Sequence, residues 1–414
     1  MQQLEYIFFL GSKSALSATE VWRVLMANGY EPAVTAASSI YLVVTVNHEL
    51  DPKIQNLLGG TDRIGRVLAK IDHEPSSEDL GELLSPTLLD SGKISVGISI
   101  VNDPETLNKH VALDLKRWAK KHGGRLRFII PKKKSARLNS AQVIFNDLIT
   151  PPNRELTILK HDATWIVTDT ITIQNIQAYE LRDTLRPARD PYVGMLPPKL
   201  AQIIINLATP DNTNRAQHIY DPFCGMGTVL QEGWLMGYKT TGSDISPKMV
   251  LASQENMDWI AKHFQPDPTI TPKVLQLDAQ QPFPETFKEQ FSAIVTEPLL
   301  GKPTSKPLPP EAIQHRINEI LPLYTTALTN LRPLLEQGGR IVFLLPAFRL
   351  EGGNQGFSHL PDSFLDDVSR LGYSKEHLVP DALREWYTET DRGTVVYARP
   401  NAAIGREVTI WQKI

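Results

Sequence analysis

The chain has 414 residues, 41% of them apolar and 21% charged, which excludes a disordered or fibrous protein and is enough for two or three cores. Its single cysteine, Cys224, rules out an internal disulfide and any multi-cysteine metal site. The net charge of −3 argues at first against a nucleic-acid partner, but it sums −6 over residues 1–90, +7 over 91–190 and −4 over 191–414.

EYIFFLG (5–11) reads as a short aromatic-rich strand. Ser17, with Glu20 three positions later, has the spacing of a capping box and predicts a helix running to Ala27, with Val21, Val24 and Leu25 on one face. SIYLVVTV (39–46) is a β-branched strand, and another is expected over 64–71. This succession predicts a small ferredoxin-like α+β domain over residues 1–80. Residues 75–90 are polar and proline-punctuated, and read as a linker.

GKISVGISIV (92–101) alternates like a strand, and Leu107 to Lys121 is helical, with Leu107, Val111, Leu115 and Trp118 as its buried stripe. RLRFIIP (125–131) gives a further strand and Ser140 to Leu148 a further helix, so residues 90–175 read as a compact α/β module. Its charge is distinctive. Lys116, Arg117, Lys120, Lys121, Arg125, Arg127, Lys132, Lys133, Lys134 and Arg137 carry ten positive charges with no acid between them. Such a patch releases counterions from a phosphate backbone, which predicts a salt-sensitive RNA anchor.

RPARDPYVGMLPPKL (186–200), with four prolines, reads as a connection. Beyond it, strands and helices alternate as in a parallel sheet, the strands being HIYD (218–221), KTTGSD (239–244), KVLQLD (273–278), FSAIVT (291–296) and RIVFLLP (340–346). A Rossmann-like domain over 190–414 is expected.

HIYDPFCGMGTVLQEGWLMGY (218–238) carries the most chemistry. A strand ends at Asp221, Gly225 and Gly227 allow a tight turn and close approach of a ligand, and a helix opens near Thr228. Asp244 ends the next strand, 23 residues after Asp221, where a carboxylate accepts hydrogen bonds from two ribose hydroxyls. Asp278 ends a third strand, where it can accept from an adenine amino group. Three consecutive strands ending in acids describe a nucleoside-binding edge, because open α/β sheets bind ligands at strand carboxyl ends. Asp221, Phe223, Gly225, Gly227, Thr228, Asp244, Ile245, Asp278 and Ala279 are therefore expected to line that nucleoside site.

DPFCGMGT, followed by GSDIS and LDAQQP at these spacings, resembles the class I S-adenosylmethionine-dependent methyltransferases. More narrowly, it is similar to RNA methyltransferases that carry a THUMP domain, above all the tRNA guanine-N2 methyltransferases of archaea and eukaryotes. GMLPPKLA (194–201), the opening YIFFLGSKSALSATEV and the late IGREVTIW (404–411) extend the resemblance over nearly the whole chain. It implies S-adenosylmethionine as cofactor, tRNA as partner, a THUMP-like RNA-binding module where the basic stretch falls, and a cytoplasmic location. No run of about eighteen apolar residues suggests a membrane span, the N-terminus lacks the pattern of a secretory leader, and any small activating protein partner is left open.

The resemblance also implies where the acceptor sits. Related enzymes place D/N-P-P-Y/F after the fourth strand, so that a side-chain oxygen and a backbone carbonyl accept the two N–H protons of an exocyclic amine. Here the stretch is TEPLLG: Glu297 replaces the first residue, Pro298 is kept, and Leu299 and Leu300 stand where a proline and a stacking ring are expected. Tyr192 and Phe348 are the rings in neighbouring loops that could substitute. Cys224 lies in the cofactor loop and not on the acceptor side, which argues against a covalent pyrimidine mechanism, and the histidines have no metal-ligand spacing. A non-catalytic RNA-binding protein and a DNA amino-methyltransferase are the alternatives.

Overall fold

The computed structural model describes residues 4–91, 93–101, 107–131, 137–189, 195–209, 217–351 and 356–414. They fall into two compact units, one of Met1–Ser12, Tyr30–Gln55 and Thr61–Ile176, the other of Lys13–Gly29, Asn56–Gly60 and Gln177–Ile414.

The first unit is built on β1 (Leu4–Leu10), β2 (Ala33–Ala37), β3 (Tyr41–Val46), β4 (Thr61–Ile71), β5 (Lys93–Val101), β6 (Arg125–Ile129), β7 (Arg154–His161) and β8 (Thr164–Ile173). Between β1 and β2 the chain forms α1 (Ser14–Ala27), which groups with the second unit. Helices α2 (Ser77–Ser91), α3 (Leu107–Lys121) and α4 (Ser140–Phe145) complete the set. The eight strands form one sheet in the order β2-β3-β1-β4-β8-β7-β5-β6. Strands from the segment 1–80 and from the segment 90–175 are thus joined in a single sheet, through the antiparallel β4–β8 ladder.

Alternation fixes the faces. Ile94, Val96, Ile98 and Ile100 of β5 point to one side, where they meet Leu80, Leu84 and Leu88 of α2 and Ala112, Leu115 and Ala119 of α3. Trp118 packs against this cluster. On the sheet's polar seam, buried Glu155 accepts from Arg63 at 2.6 Å, Ser99 at 2.7 Å and Thr170 at 2.6 Å.

Two expectations change here. Residues 75–90 are not a linker: most of that stretch is α2, which carries Pro86 in its interior and buries Leu80, Leu84 and Leu88. The Ser17–Glu20 spacing is not a capping box either, because α1 begins at Ser14 and both residues lie buried inside it. Within the second unit, Glu20 instead accepts the N–H groups of Gly59 and Gly60 at 2.9 and 2.7 Å and the Asn206 amide at 2.8 Å.

The second unit begins near α5 (Ile176–Glu180) and continues through α6 (Pro198–Ala208), β9 (His218–Asp221), α7 (Thr228–Leu235), β10 (Lys239–Asp244), α8 (Pro247–Phe264), β11 (Lys273–Gln276), β12 (Phe291–Thr296), α9 (Pro310–Leu331) and β13 (Leu335–Arg349). It ends with β14 (Phe357–Ser358), α10 (Asp362–Arg370), β15 (Tyr373–Glu376), β16 (Val395–Tyr397) and β17 (Ile404–Lys413). The sheet order is β11-β10-β9-β12-β13-β17-β15, with β9 to β13 mutually parallel and β17 antiparallel to β13 and β15. All six residues of β12 are buried, as expected for a parallel strand covered on both faces. Tyr220, Phe291, Tyr324, Phe343 and Trp411 anchor the larger core on one side. On the other side Cys224, Leu230, Trp234, Met257 and Ile260 pack together. The direction of chain progression reverses between β9 and β12, so the crevice at their carboxyl ends is a topological switch point.

Candidate functional site

The switch point is built by two buried strand ends. Asp221 closes β9 and its Oδ1 accepts from Thr296 Oγ1, at the end of β12, at 2.6 Å, and from the Phe223 N–H at 3.1 Å. Burial pushes the Asp221 carboxyl up to about 7, opposed by those two hydrogen bonds and reinforced by the charges of Asp244 and Glu297.

The loop after Asp221 turns back by way of two glycines in the left-handed region, Gly225 at φ +50° and Gly227 at φ +79°. A Cβ on Gly225 would meet nothing within 4 Å, whereas one on Gly227 would lie 2.3 Å from the Ser253 hydroxyl. Gly227 is therefore required by packing, and Gly225 leaves open space over the loop. Thr228 begins α7, and its hydroxyl accepts from Arg186 at 2.8 Å. Asn256 donates to the carbonyls of Met226 and Ala188 at 2.9 and 3.1 Å, tying the loop to the preceding connection.

Asp244 ends β10 and braces the same loop. One oxygen accepts the Gly225 N–H at 3.1 Å and the other the Ser246 N–H at 2.9 Å. Each carboxylate oxygen retains a second lone pair, so the group can also accept from a ligand. The sequence SDISP explains the local turn, since Ser246 caps α8 and accepts from the Met249 N–H while Pro247 occupies the first helical turn. Ile245 between them is 61% exposed. Asp278 follows β11 and accepts from Gln280 N–H at 2.9 Å, and buried Ala279 gives its carbonyl to Asn330 at 3.0 Å. The structure thus brings Asp221, Asp244 and the Gly225–Gly227 loop into direct contact, and sets Asp278 beyond the end of the adjoining strand.

Cys224 is buried behind the loop, and burial together with Asp221 and Asp244 holds its thiol well above the usual range. It is a packing residue against Leu230 and Met257. Among the described residues no group of three or more His, Cys, Asp or Glu side chains is arranged to hold a metal ion.

On the β12 side, Glu297 is gripped side-on by Arg406 of β17, with Nε to Oε2 at 2.6 Å and Nη2 to Oε1 at 3.0 Å. Pro298 is buried, and the next carbonyl, Leu299, accepts from the Tyr324 hydroxyl at 2.8 Å. Leu299 is 59% exposed. Phe348 is buried in the core and is not a substitute stacking ring, and Tyr192 lies outside the described residues. The sequence reading missed Thr296, Arg186, Asn256, Tyr324 and Arg406. Of these only Arg406 carried a signal, since it lies in IGREVTIW, a stretch the resemblance singled out.

In the first unit, Lys116, Arg117, Lys120 and Lys121 are exposed on α3, and Arg125 and Arg127 are exposed on the edge strand β6. Leu126 and Phe128 face the α2–α3 cluster, so Arg125 and Arg127 project from the opposite face. Arg137 is turned inward, 4.4 Å over the Phe9 ring and 3.6 Å from Asp62. Lys132, Lys133 and Lys134 lie outside the described residues.

A parallel sheet with this strand order and an acidic, glycine-turned switch point defines a Rossmann-like methyltransferase fold. Residues 186–349 match the family model described as RMKL-like, methyltransferase domain (UPF0020). Curated relatives include the tRNA (guanine(10)-N2)-dimethyltransferase of Methanothermobacter thermautotrophicus, 36% identical over 28% of this chain and 31% of that protein. The enzyme of the same name from Methanocaldococcus jannaschii is 28% identical over 51% of this chain and 54% of that protein. These alignments therefore span between a third and about half of the relatives' length. Among solved structures, TrmN from Thermus thermophilus matches with a TM-score of 0.52 at 16% identity, over 99% of this chain and 100% of that one, a likeness of fold.

Proposed function

We propose that this chain is an S-adenosylmethionine-dependent RNA N-methyltransferase acting in the cytoplasm on the exocyclic N2 of a guanine in tRNA. The observation that carries the reading is the switch point itself: Asp221 joined to Thr296, with Asp244 bracing the Gly225 loop, inside a segment that matches a methyltransferase-domain family. Relatives named tRNA (guanine(10)-N2)-dimethyltransferase supply the acceptor class.

The residues present suit the cofactor. Gly225 leaves room over its Cα for a ligand, and three carboxylates match a cationic methionine end, a ribose diol and an adenine amino group. Asp221, Phe223, Gly225, Gly227 and Thr228 hold the methionine side, Asp244 and Ile245 the ribose, and Asp278 and Ala279 the adenine. S-adenosylmethionine supplies an electrophilic methyl group on a sulfonium centre. Glu297 and the Pro298 carbonyl accept the two N–H protons of the guanine amine, which turns its otherwise delocalised lone pair toward the donor. The amine proton is lost to water after transfer.

Residues 1–80 supply the N-terminal α+β part and 90–175 a THUMP-like RNA-binding part of the eight-stranded sheet, and 190–414 the methyltransferase domain. Lys116, Lys120 and Lys121 on α3, and Arg125 and Arg127 on the other face of β6, contact RNA phosphate, and the sequence adds Lys132, Lys133 and Lys134 to them; Arg137, turned inward over Phe9, takes no part. No described helix is long and apolar enough to cross a membrane.

The test is incubation with methyl-labelled cofactor and either total tRNA or duplex DNA, followed by nucleoside analysis, alongside calorimetric titration of the cofactor. Label in N2-methylated guanosine is expected. Cofactor binding without label in either nucleic acid would make the chain a non-catalytic RNA-binding protein, and label confined to duplex DNA would make it a DNA amino-methyltransferase.

A further inference from the structure

Glu297 is an awkward acceptor taken alone. Its carboxylate hangs on one more methylene than an aspartate, so it has an additional rotatable bond and a wider set of positions. An amine whose lone pair must be aimed needs its acceptor oxygen fixed to within about half an ångström. The side chain also stands among other acids, with Asp221 on β9 and Asp244 on β10 at the same strand-end crevice, and Tyr324 of α9 close enough to feel its charge.

Arg406 removes both difficulties. The guanidinium engages Glu297 through Nε and one Nη, a two-point fork that permits a single carboxylate orientation. Its backbone is rigid, because β17 is hydrogen-bonded to β13 on one side, where Arg406 pairs with Pro346, and to β16 on the other, where it pairs with Tyr397. The carboxylate is then held by a strand hydrogen-bonded on both sides and not by its own loop. Tyr324 fixes the same loop from α9 through the Leu299 carbonyl. A two-point grip uses one lone pair of each oxygen and leaves another on each for an incoming N–H. The pair keeps 15% of each side chain open to solvent, so it can meet a substrate.

We propose that Arg406 is the positioning residue of the acceptor site, holding Glu297 in one orientation so that this longer carboxylate can receive the amine of the target base. The inference rests on the acceptor reading of Glu297 above. Arg406 itself touches neither donor nor acceptor atoms.

The experiment compares Arg406→Lys, Arg406→Gly and Glu297→Ala with the full-length wild type for cofactor affinity, for kcat and KM toward tRNA, and for rescue by millimolar guanidinium. Loss of a charge-assisted grip corresponds to a fall in kcat of about 10- to 100-fold in Arg406→Gly, with cofactor affinity unchanged to within about twofold. Arg406→Lys keeps the charge but not the fork, and recovers only part of kcat. Guanidinium restores turnover of Arg406→Gly and leaves Glu297→Ala inactive. If Glu297→Ala transfers methyl groups as well as wild type, the acceptor reading itself fails. If Glu297→Ala is inactive while Arg406→Gly keeps wild-type kcat, or loses it with no rescue by guanidinium, the positioning role alone is overturned.

Discussion

In the first unit Arg63 meets Glu155 at 2.6 Å with side-chain exposures of 1% and 0%, whereas in the second Arg406 grips Glu297 with 15% of each side chain open. The two pairs have the same chemistry and different surroundings. Glu155 also receives Ser99 and Thr170, and Arg63 donates to the Leu138 carbonyl, so the sealed pair sits in a dense polar network within a β-sheet. Glu297 has no such surrounding donors besides Arg406 among the described hydrogen bonds, and its loop borders the switch point. A charge pair closed off from water on all sides can only hold structure. A pair with one open side can hold a carboxylate ready for a third partner.

The largest effect that tests this contrast is in the core. Arg63→Met strands Glu155 without its cation and is expected to destabilise the first unit by about 3–5 kcal/mol, read as a shift of the urea midpoint. Arg63→Met/Glu155→Leu should recover most of that loss, and a failure to recover would mean the network is needed for more than charge balance. Arg406→Met, where the pair keeps one side open to solvent, should cost less than Arg63→Met in the same assay. An equal cost at the two sites would erase the distinction between them.

Asp244→Ala comes next. It removes the acceptor of the Gly225 and Ser246 N–H groups, and is expected to weaken cofactor binding by about 10- to 100-fold in calorimetry, since hydrogen bonds to a charged group contribute roughly 1.5–3 kcal/mol each. Unchanged affinity would remove Asp244 from the site.

Asp221 gives a pH-dependent test. Its folded carboxyl keeps a proton up to about 7, against 3.8 for the ordinary group, so the native state binds more protons than the unfolded state across that window. Stability from this residue is full below pH 3.8 and lost as the pH rises to about 7. Asp221→Asn, which stays neutral, should therefore gain on wild type steadily between those pH values in urea unfolding. A difference independent of pH would contradict the burial of an ionisable group there.

The smallest effect belongs to the basic surface. Arg125→Gln/Arg127→Gln should lower the slope of log affinity for RNA against log salt by about 0.7–0.9 for each phosphate no longer neutralised, without altering cofactor affinity. Arg137→Gln should leave the slope unchanged, because that guanidinium lies over Phe9.

The parallel sheet was legible because its signals are local. KTTGSD forms a strand with the expected bounds, and Ser246 and Pro247 directly after it open α8 as their chemistry requires. The Asp221–Gly227 turn was readable for the same reason. What failed depended on distant partners. Ser17 and Glu20 had the spacing of a cap, but Glu20 is committed to Gly59, Gly60 and Asn206, which no local pattern reveals. Prolines suggested a linker where α2 tolerates Pro86 in its interior. The β7–β8 hairpin turns at Asp162 with φ +53° and no glycine, so it left no turn signal. Arg406 is 109 residues from Glu297, and only the fold brings the two together.

Transfer of labelled methyl from S-adenosylmethionine to tRNA, with digestion to nucleosides, tests the central claim most directly. N2-methylated guanosine formed by wild type and absent with Glu297→Ala is the expected result. Label that stays on the cofactor, or enters tRNA equally well without the Glu297 carboxylate, would contradict it.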